Sequence, residues 1–256
     1  MTAESSIQTF KYTLSDNGNF NDIEVNLIIG AAFKPTTTSN LLLRSIGIHE
    51  GGIVIDMGCG IGGSPIILAK YFPVSKVYAV DKQEEACNLA RENIERHNLS
   101  EKIEVIHSDL FKELEGIKAD IILDDVSGIS NYQDFARKTT WYSEKSIPVA
   151  DDDGSYPTTE MLEQSVNYLK DNGKLYFPVL SLARESKILE KAESMFRNVE
   201  KLNEYSLPLS KHCFTIDFEE AGSLIEEMKE KGIIRLEKRG SRYLWNLGIY
   251  KASIRR

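Results

Sequence analysis

The chain has 256 residues, 41% of them hydrophobic and 27% charged, with 7 Pro and 17 Gly, a composition that excludes disordered, collagen-like and coiled-coil chains. No apolar run approaches the ~20 residues a membrane helix requires, and residues 1–18 are too polar and acidic for a secretory or transit leader. A formal net charge of −8 argues against a grip on the phosphates of long nucleic acid, and the seven Lys and Arg set against one Glu between Arg235 and Arg256 read as a solvated surface with a frayed basic tail.

The pattern along the chain is strand, helix, strand, helix, which predicts an α/β fold with a parallel sheet. Residues 1–45 form a mixed preface, in which Leu41–Ile46 belongs to a helix. Ile53–Met57 is a short apolar run ending in glycines, as expected of a buried parallel strand. Ser64 and Pro65 then open a helix, with Ser as cap and Pro at the first position, that stops before Pro73. Lys76–Val80 predicts a strand and Gln83–His97 a helix, with Glu84 and Glu85 at its positive end and Ala86, Ala90 and Ile94 on its apolar stripe. Ile103–His107 and Ala119–Leu123 read as further strands. Residues 127–157 are irregular. Thr158–Lys170 predicts a helix ending at Asn172 and Gly173, and a strand from Lys174 that ends or bends at Pro178. Ala183–Phe196 is helical. Val199–Ser206 and Leu244–Tyr250 read as the last strands, with residues 209–240, including a helix over Phe218–Lys231, inserted between them. The expected organisation is a single domain over 1–256 with three additions: the preface, the loop at 127–157 and the insertion at 209–240.

Cys59, Cys87 and Cys213 are an odd, scattered set without a C-x-x-C pair, which points away from a disulfide framework and toward a reducing, cytoplasmic setting. The histidines are far apart; His212 and Cys213 are neighbours, and adjacent residues of a strand face opposite ways, so no metal site is expected. His97 and His107 read as ordinary helix-end and strand residues.

The chemistry concentrates in Val54-Ile55-Asp56-Met57-Gly58-Cys59-Gly60-Ile61-Gly62-Gly63. Glycines at a strand-to-helix turn admit a ligand where a Cβ would collide. Gly58, Gly60 and Gly63 fit G-x-G-x-x-G, a dinucleotide fingerprint, which would suit an NAD-dependent dehydrogenase. Asp56, Gly58, Gly60 and Gly62 fit D-x-G-x-G-x-G, the pattern of S-adenosylmethionine enzymes. Ligand charge favours the second pattern. A pyrophosphate wants N–H donors and positive potential, whereas a sulfonium and an ammonium want carboxylates, and Asp56 and Asp109 supply them.

Over roughly residues 30–180 the chain resembles the class I S-adenosylmethionine-dependent methyltransferases, and most of all their ribosomal-protein and release-factor branch. The resemblance implies a Rossmann-like, seven-stranded, mostly parallel sheet with helices on both faces. It implies that Asp56, Gly58, Cys59, Gly60 and Gly62 line the cofactor and that Asp81 accepts both ribose hydroxyls. It further implies that Lys82 flanks the adenine, that Asp109 meets the adenine amino group, and that the backbone N–H of Leu110 meets the ring. Phe33-Lys34-Pro35-Thr36-Thr37-Thr38-Ser39-Asn40-Leu41-Leu42-Leu43 is similar to the segment that branch folds over the cofactor. One departure stands out: amide- and base-nitrogen enzymes of the branch carry N-P-P-[YF] where this chain has Asp125-Val126-Ser127-Gly128, which counts against glutamine or adenine methylation.

Asp124 and Asp125 lie where the family faces the transferred methyl. A carboxylate there holds an amine, guanidine or hydroxyl and takes its proton; the alternative is a turn or cofactor contact for Asp124 and a turn-forming role for Asp125. The loop at 127–157 is too long for a mere connector. Its Tyr132, Phe135, Trp141, Tyr142 and Asp151-Asp152-Asp153 form either an acceptor site or a small hydrophobic cluster with a solvated acidic turn. Arg137 and Lys138 are an odd neighbour for a cationic substrate, or a surface pair. Trp245 reads as strand core. The expected activity is methyl transfer from S-adenosylmethionine, leaving S-adenosylhomocysteine, to N or O of a small molecule, amino acid or peptide. Protein N-methylation is the alternative, with RNA methylation or NAD-dependent hydride transfer behind it.

Overall fold

The structure, a computed structural model, describes residues 6–16, 18–30, 32, 34–47, 49–126, 128–142, 151–240 and 242–254. It opens with a hairpin where sequence reading finds only a mixed preface. Strand β1 (Ser6–Asp16) pairs antiparallel with β2 (Asn19–Ile29) along its whole length, and Gly18, at φ +85°, lies in the turn. The signal for it is the dipeptide Asn17-Gly18 between two alternating runs. Tyr12, Leu14, Val25 and Leu27 are buried on the core side. Helix α1 (Thr37–Arg44) follows, closed by a capping box in which Thr36 and Ser39 each accept the other's backbone N–H.

The main sheet is built from β3 (Gly52–Met57), β4 (Val74–Asp81), β5 (Ile103–His107), β6 (Ala119–Asp124), β7 (Leu169–Leu180), β8 (Asn198–Leu209), β9 (Leu236–Arg239) and β10 (Arg242–Ser253). Its order is β5-β4-β3-β6-β7-β10-β8, with β9 on β10, which makes eight strands among the described residues where seven are expected. The pairings from β5 through β7 are parallel, and β10 runs antiparallel to both β7 and β8. Helices α2 (Gly63–Tyr71) and α3 (Glu84–Arg96) bury Ile66, Ile67, Ala86, Ala90 and Ile94 on one face, together with the hairpin and α6 (Phe218–Glu230). On the other face α4 (Tyr156–Ser165) and α5 (Glu185–Met195) bury Met161, Leu162, Ile188 and Ala192. The mostly parallel α/β sheet with helices on both faces is therefore as expected.

Three local expectations are corrected. Ser64 does not cap α2: the cap is Gly62, in the left-handed region, and Ser64 and Pro65 are the second and third helical residues. Pro is tolerated there because N–H groups of the first turn have no intrahelical acceptor. The helix predicted to Lys170 ends at Ser165, because Ala119 draws the chain into the sheet: its N–H donates to Tyr168 O (2.8 Å) and it pairs with Leu169. Gly173 is then a point of close approach to Ala119, where a Cβ would stand 2.9 Å from Ala119 O. Strand β7 also continues through Pro178 to Leu180. Pairing with β6 stops at Tyr176, so the missing donor breaks no ladder on that side, while β10 pairs onward to Leu180.

One buried side chain locks these layers together. Asn93 of α3 is fully buried; its Oδ1 accepts from Ile28 N–H (2.6 Å), and its Nδ2 donates to Ile28 O (3.0 Å) and Ile61 O (2.9 Å). It joins the hairpin, α3 and the glycine turn. Asn93→Ala leaves buried backbone groups without partners, so urea unfolding should show a loss of about 3 kcal/mol with an unchanged m value; a loss under about 1 kcal/mol would contradict the role assigned to it.

Candidate active site

The strand order reverses between β3 and β6, and ligands of open α/β sheets bind outside the carboxyl ends of strands at such a point. Here the chain leaves β3 through residues that need left-handed backbone: Gly58 (φ +82°), Gly60 (φ +53°) and Gly62 (φ +89°). Both Gly58 N–H and Cys59 N–H donate to Val80 O (2.8 and 2.9 Å). Gly60 N–H donates to Asp81 Oδ2 and Gln83 N–H to Asp81 Oδ1, each at 2.9 Å. The carboxylate that ends β4 thus holds the glycine turn and the start of α3. On the β6 side, Asp125 N–H donates to Met57 O (2.9 Å), and a Cβ on Gly58 would press on the Asp125 carbonyl at 3.0 Å.

A cleft of about 1440 Å³ opens above this edge, walled by Gly58, Cys59, Gly60, Asp81, Lys82, Asp109, Leu110 and Asp125 among others. Asp56, Gly62 and Asp124 are not in its wall. Asp56 and Asp124 are buried beneath the turn, each with Oδ2 unpartnered among the described residues. Asp124 Oδ1 accepts from Val126 N–H (3.0 Å), so Asp124 takes the turn-forming role. Burial pushes the Asp56 carboxyl well above the ordinary range and raises Asp124 to about 8. Asp125 accepts a short hydrogen bond from the Ser39 hydroxyl, and burial, opposed by that bond, raises it to about 7. Asp81 is also raised by burial, against the pull of its backbone donors, and burial takes the Cys59 thiol well up. Asp109 is held the other way, below the usual range, by hydrogen bonds from Lys112 (2.6 Å) and Lys82 (3.1 Å). Leu110 turns there at φ +54°, with its carbonyl accepting from Ser108 Oγ (2.7 Å).

The far half of the cleft is aromatic and apolar. Trp141, Tyr142, Trp245, Leu180 and Pro208 line it, with the indoles of Trp141 and Trp245 6.0 Å apart. Burial raises the Tyr142 phenol to about 12. Trp245, read from sequence as core, is both core and wall. Other side chains of the irregular segment pack elsewhere. Phe135 packs on Phe214, Tyr132 donates to Glu227 Oε1 (2.6 Å), and Lys138 pairs with Glu220. Asp153 accepts from Ser155 and pairs with Arg184 and Lys187, while Asp151 pairs with Lys187, so these two acids of the run are tied into the turn before α4. Phe33, Ser127, residues 143–150 and the tail beyond 254 lie outside the described residues. Sequence reasoning missed Tyr12 and, on α4, Tyr156, Glu160 and Gln164, all in the wall. Ser39 stood within the quoted preface, and its capping-box spacing from Thr36 was the available signal.

Comparison with known proteins agrees with this geometry. The model of the methyltransferase small domain matches residues 32–125. The chain is similar to a release factor glutamine methyltransferase of Streptococcus pneumoniae, 37% identical over 49% of this chain and 45% of that protein. It is also similar to a ribosomal protein L11 methyltransferase of Caldanaerobacter subterraneus, 26% identical over 66% and 51%. Among solved structures, the YcgJ protein of Bacillus subtilis shares the fold, with a TM-score of 0.52 at 10% identity over 86% of this chain and 98% of that one. The chain spans about half the length of these curated relatives. Residues 32–125 thus match the methyltransferase small domain, and the chain shares its fold with the YcgJ protein.

The raised carboxyl of Asp124 has a measurable consequence. Between the ordinary carboxylate range and about 8 it keeps its proton when folded and loses it when unfolded. Its stabilising contribution is therefore complete at low pH and disappears as pH rises through about 8. In thermal melts of the free protein between pH 5 and 9, Asp124→Asn should flatten the fall in Tm by roughly 5 °C; parallel curves for the two proteins would refute the assignment.

Proposed function

We propose that this chain is an S-adenosylmethionine-dependent methyltransferase acting on nitrogen or oxygen of a small molecule, amino acid or peptide. The observation that supports it most is the convergence of the Gly58–Gly60 turn, Asp81 and Asp125 at the switch point of the sheet. The acids Asp81 and Asp125 flank that turn in the cleft wall, which suits a cationic ligand and opposes a pyrophosphate. The residues fit S-adenosylmethionine on two further counts: the Tyr12 hydroxyl in the cleft wall stands without a partner among the described residues, and the wall glycines Gly58 and Gly63 occupy backbone that a Cβ would crowd.

When bound, the group supplies a methyl on a sulfonium, transferred in line to an acceptor lone pair. The chain's own residues bind and align. Each Asp81 oxygen already takes one N–H and retains a further acceptor site for a ribose hydroxyl. Lys82, Asp109 and Leu110 form the end suited to adenine. Asp125 is the group to hold the acceptor and take its proton, with the Ser39 hydroxyl fixing its orientation. The aromatic wall of Trp141, Tyr142 and Trp245 supports a small acceptor or a peptide side chain. The names of the relatives support protein acceptors for those proteins; Asp125 in place of an N-P-P segment supports a different acceptor here.

Calorimetric titration should show S-adenosylhomocysteine binding and no NADH binding, and Asp81→Ala should weaken the former roughly hundredfold with the fold retained. Unchanged affinity in that variant, or binding of NADH alone, would overturn the cofactor reading. With an acceptor in hand, kcat/KM should climb through a limb near pH 7, the value of the Asp125 carboxyl, and Asp125→Asn should lower the rate ~100-fold and erase that limb; a limb that persists in the variant would remove Asp125 from the proton path.

A further inference from the structure

Tyr12 is the group that the proposed chemistry leaves unexplained. Its side chain is 1% exposed and its hydroxyl has no hydrogen-bond partner among the described residues, yet the residue stands in the wall of the cleft. A buried hydroxyl without a partner costs free energy, and such groups ordinarily mark a missing ligand or water. Its position is specific. A Cβ built on Gly63 would lie 2.2 Å from the Tyr12 oxygen, so the hydroxyl sits over the first residue of α2. That helix has nine residues, and its cap, Gly62, offers no side chain to the free N–H groups of the first turn. Burial, reinforced by Asp125 and Asp56, drives the phenol pKa far up, so the hydroxyl is a donor throughout the working range. A donor over a helix start is an arrangement for an anionic oxygen. The same two acids would repel a bare anion. They favour one that carries its own cation, as an α-amino acid head group does.

We propose that Tyr12 binds the α-carboxylate of the amino-acid end of the methyl donor, making the N-terminal hairpin a wall of the donor site. The proposal rests on the S-adenosylmethionine reading above. The hairpin is held for this task from two sides. Asn93 joins Ile28 of β2 to Ile61 of the glycine turn, and Asn40 of α1 accepts from Thr13 N–H (2.9 Å), one residue from Tyr12. Tyr12 and the start of α2 therefore keep their spacing.

The test compares S-adenosylhomocysteine with 5′-methylthioadenosine, which has the same nucleoside and thioether but no amino-acid head, on the full chain and on Tyr12→Phe. Calorimetry should show the wild-type chain binding S-adenosylhomocysteine more tightly than methylthioadenosine. Tyr12→Phe should lose roughly tenfold or more for the former and less than twofold for the latter. Because the variant removes an unpartnered hydroxyl and keeps the ring, its Tm without ligand should be unchanged or higher, which separates lost binding from lost folding. Equal losses for both ligands, no loss for either, or a wild-type chain that does not distinguish them would overturn the role of Tyr12. A wild-type chain that binds neither would overturn the donor assignment itself, and this proposal with it.

Discussion

The hydrogen bond from Gly60 N–H to the Asp81 carboxylate is the contact around which the site is organised. It joins the turn that leaves β3 to the last residue of β4 and, through Gln83, to the start of α3. It requires a chain that can fold back within a few residues, and the positive φ angles at Gly58, Gly60 and Gly62 are the cost of that reversal. Glycine removes the steric part of the cost. With Val80 O accepting from Gly58 and Cys59, the turn becomes a rigid rim of backbone at the sheet edge. Asp125, tied to Met57 on the other side, completes the rim.

Beneath the rim the molecule carries a burden that packing alone does not explain. Asp56 and Asp124 are buried with an oxygen unpartnered, and Tyr12 adds a buried hydroxyl in the same condition. Each destabilises the free fold. An apolar residue in any of these places would relieve that cost; of the three, Tyr12 stands in the cleft wall, whereas Asp56 and Asp124 lie beneath the glycine turn. The sign of the cluster is informative as well: the acids lie along the glycine turn, whereas Lys82 and Lys112 are spent on Asp109 at the opposite end. A ligand with a cationic end and a neutral heterocyclic end matches that asymmetry.

The additions to the core sheet divide into parts that serve the cleft and parts that serve stability. Trp141 and Tyr142 reach the far wall from the segment that joins β6 to α4, and Pro208 of β8 and Trp245 of β10 complete it. Phe135, Phe214 and Phe218 stay in their own aromatic packing with α6. Asp151 and Asp153, which sequence leaves open as a cation receptor or a solvated turn, are engaged by Arg184, Lys187 and the backbone of the turn before α4. Local sequence carries no information on which of these partners arrives from a distant helix.

From the sequence by itself came the alternation of strands and helices, the glycine turn, and the acids ending β3, β4 and β6, because short-range constraints decide those features: apolar period, backbone conformations that only glycine adopts cheaply, and the adjacency of a strand end to its turn. The resemblance to class I methyltransferases points to Asp81, Lys82, Asp109, Leu110 and Asp125 as site residues, and all five line the cleft. Tertiary structure alone decided that Asp124 turns inward while Asp125 faces the cleft, that Leu169 and Lys170 join the sheet in place of the helix, and that Tyr12 stands over α2 from some 50 residues away. Those outcomes depend on partners distant along the chain, Ser39, Ala119 and Asn93, whose approach is fixed only when the layers pack.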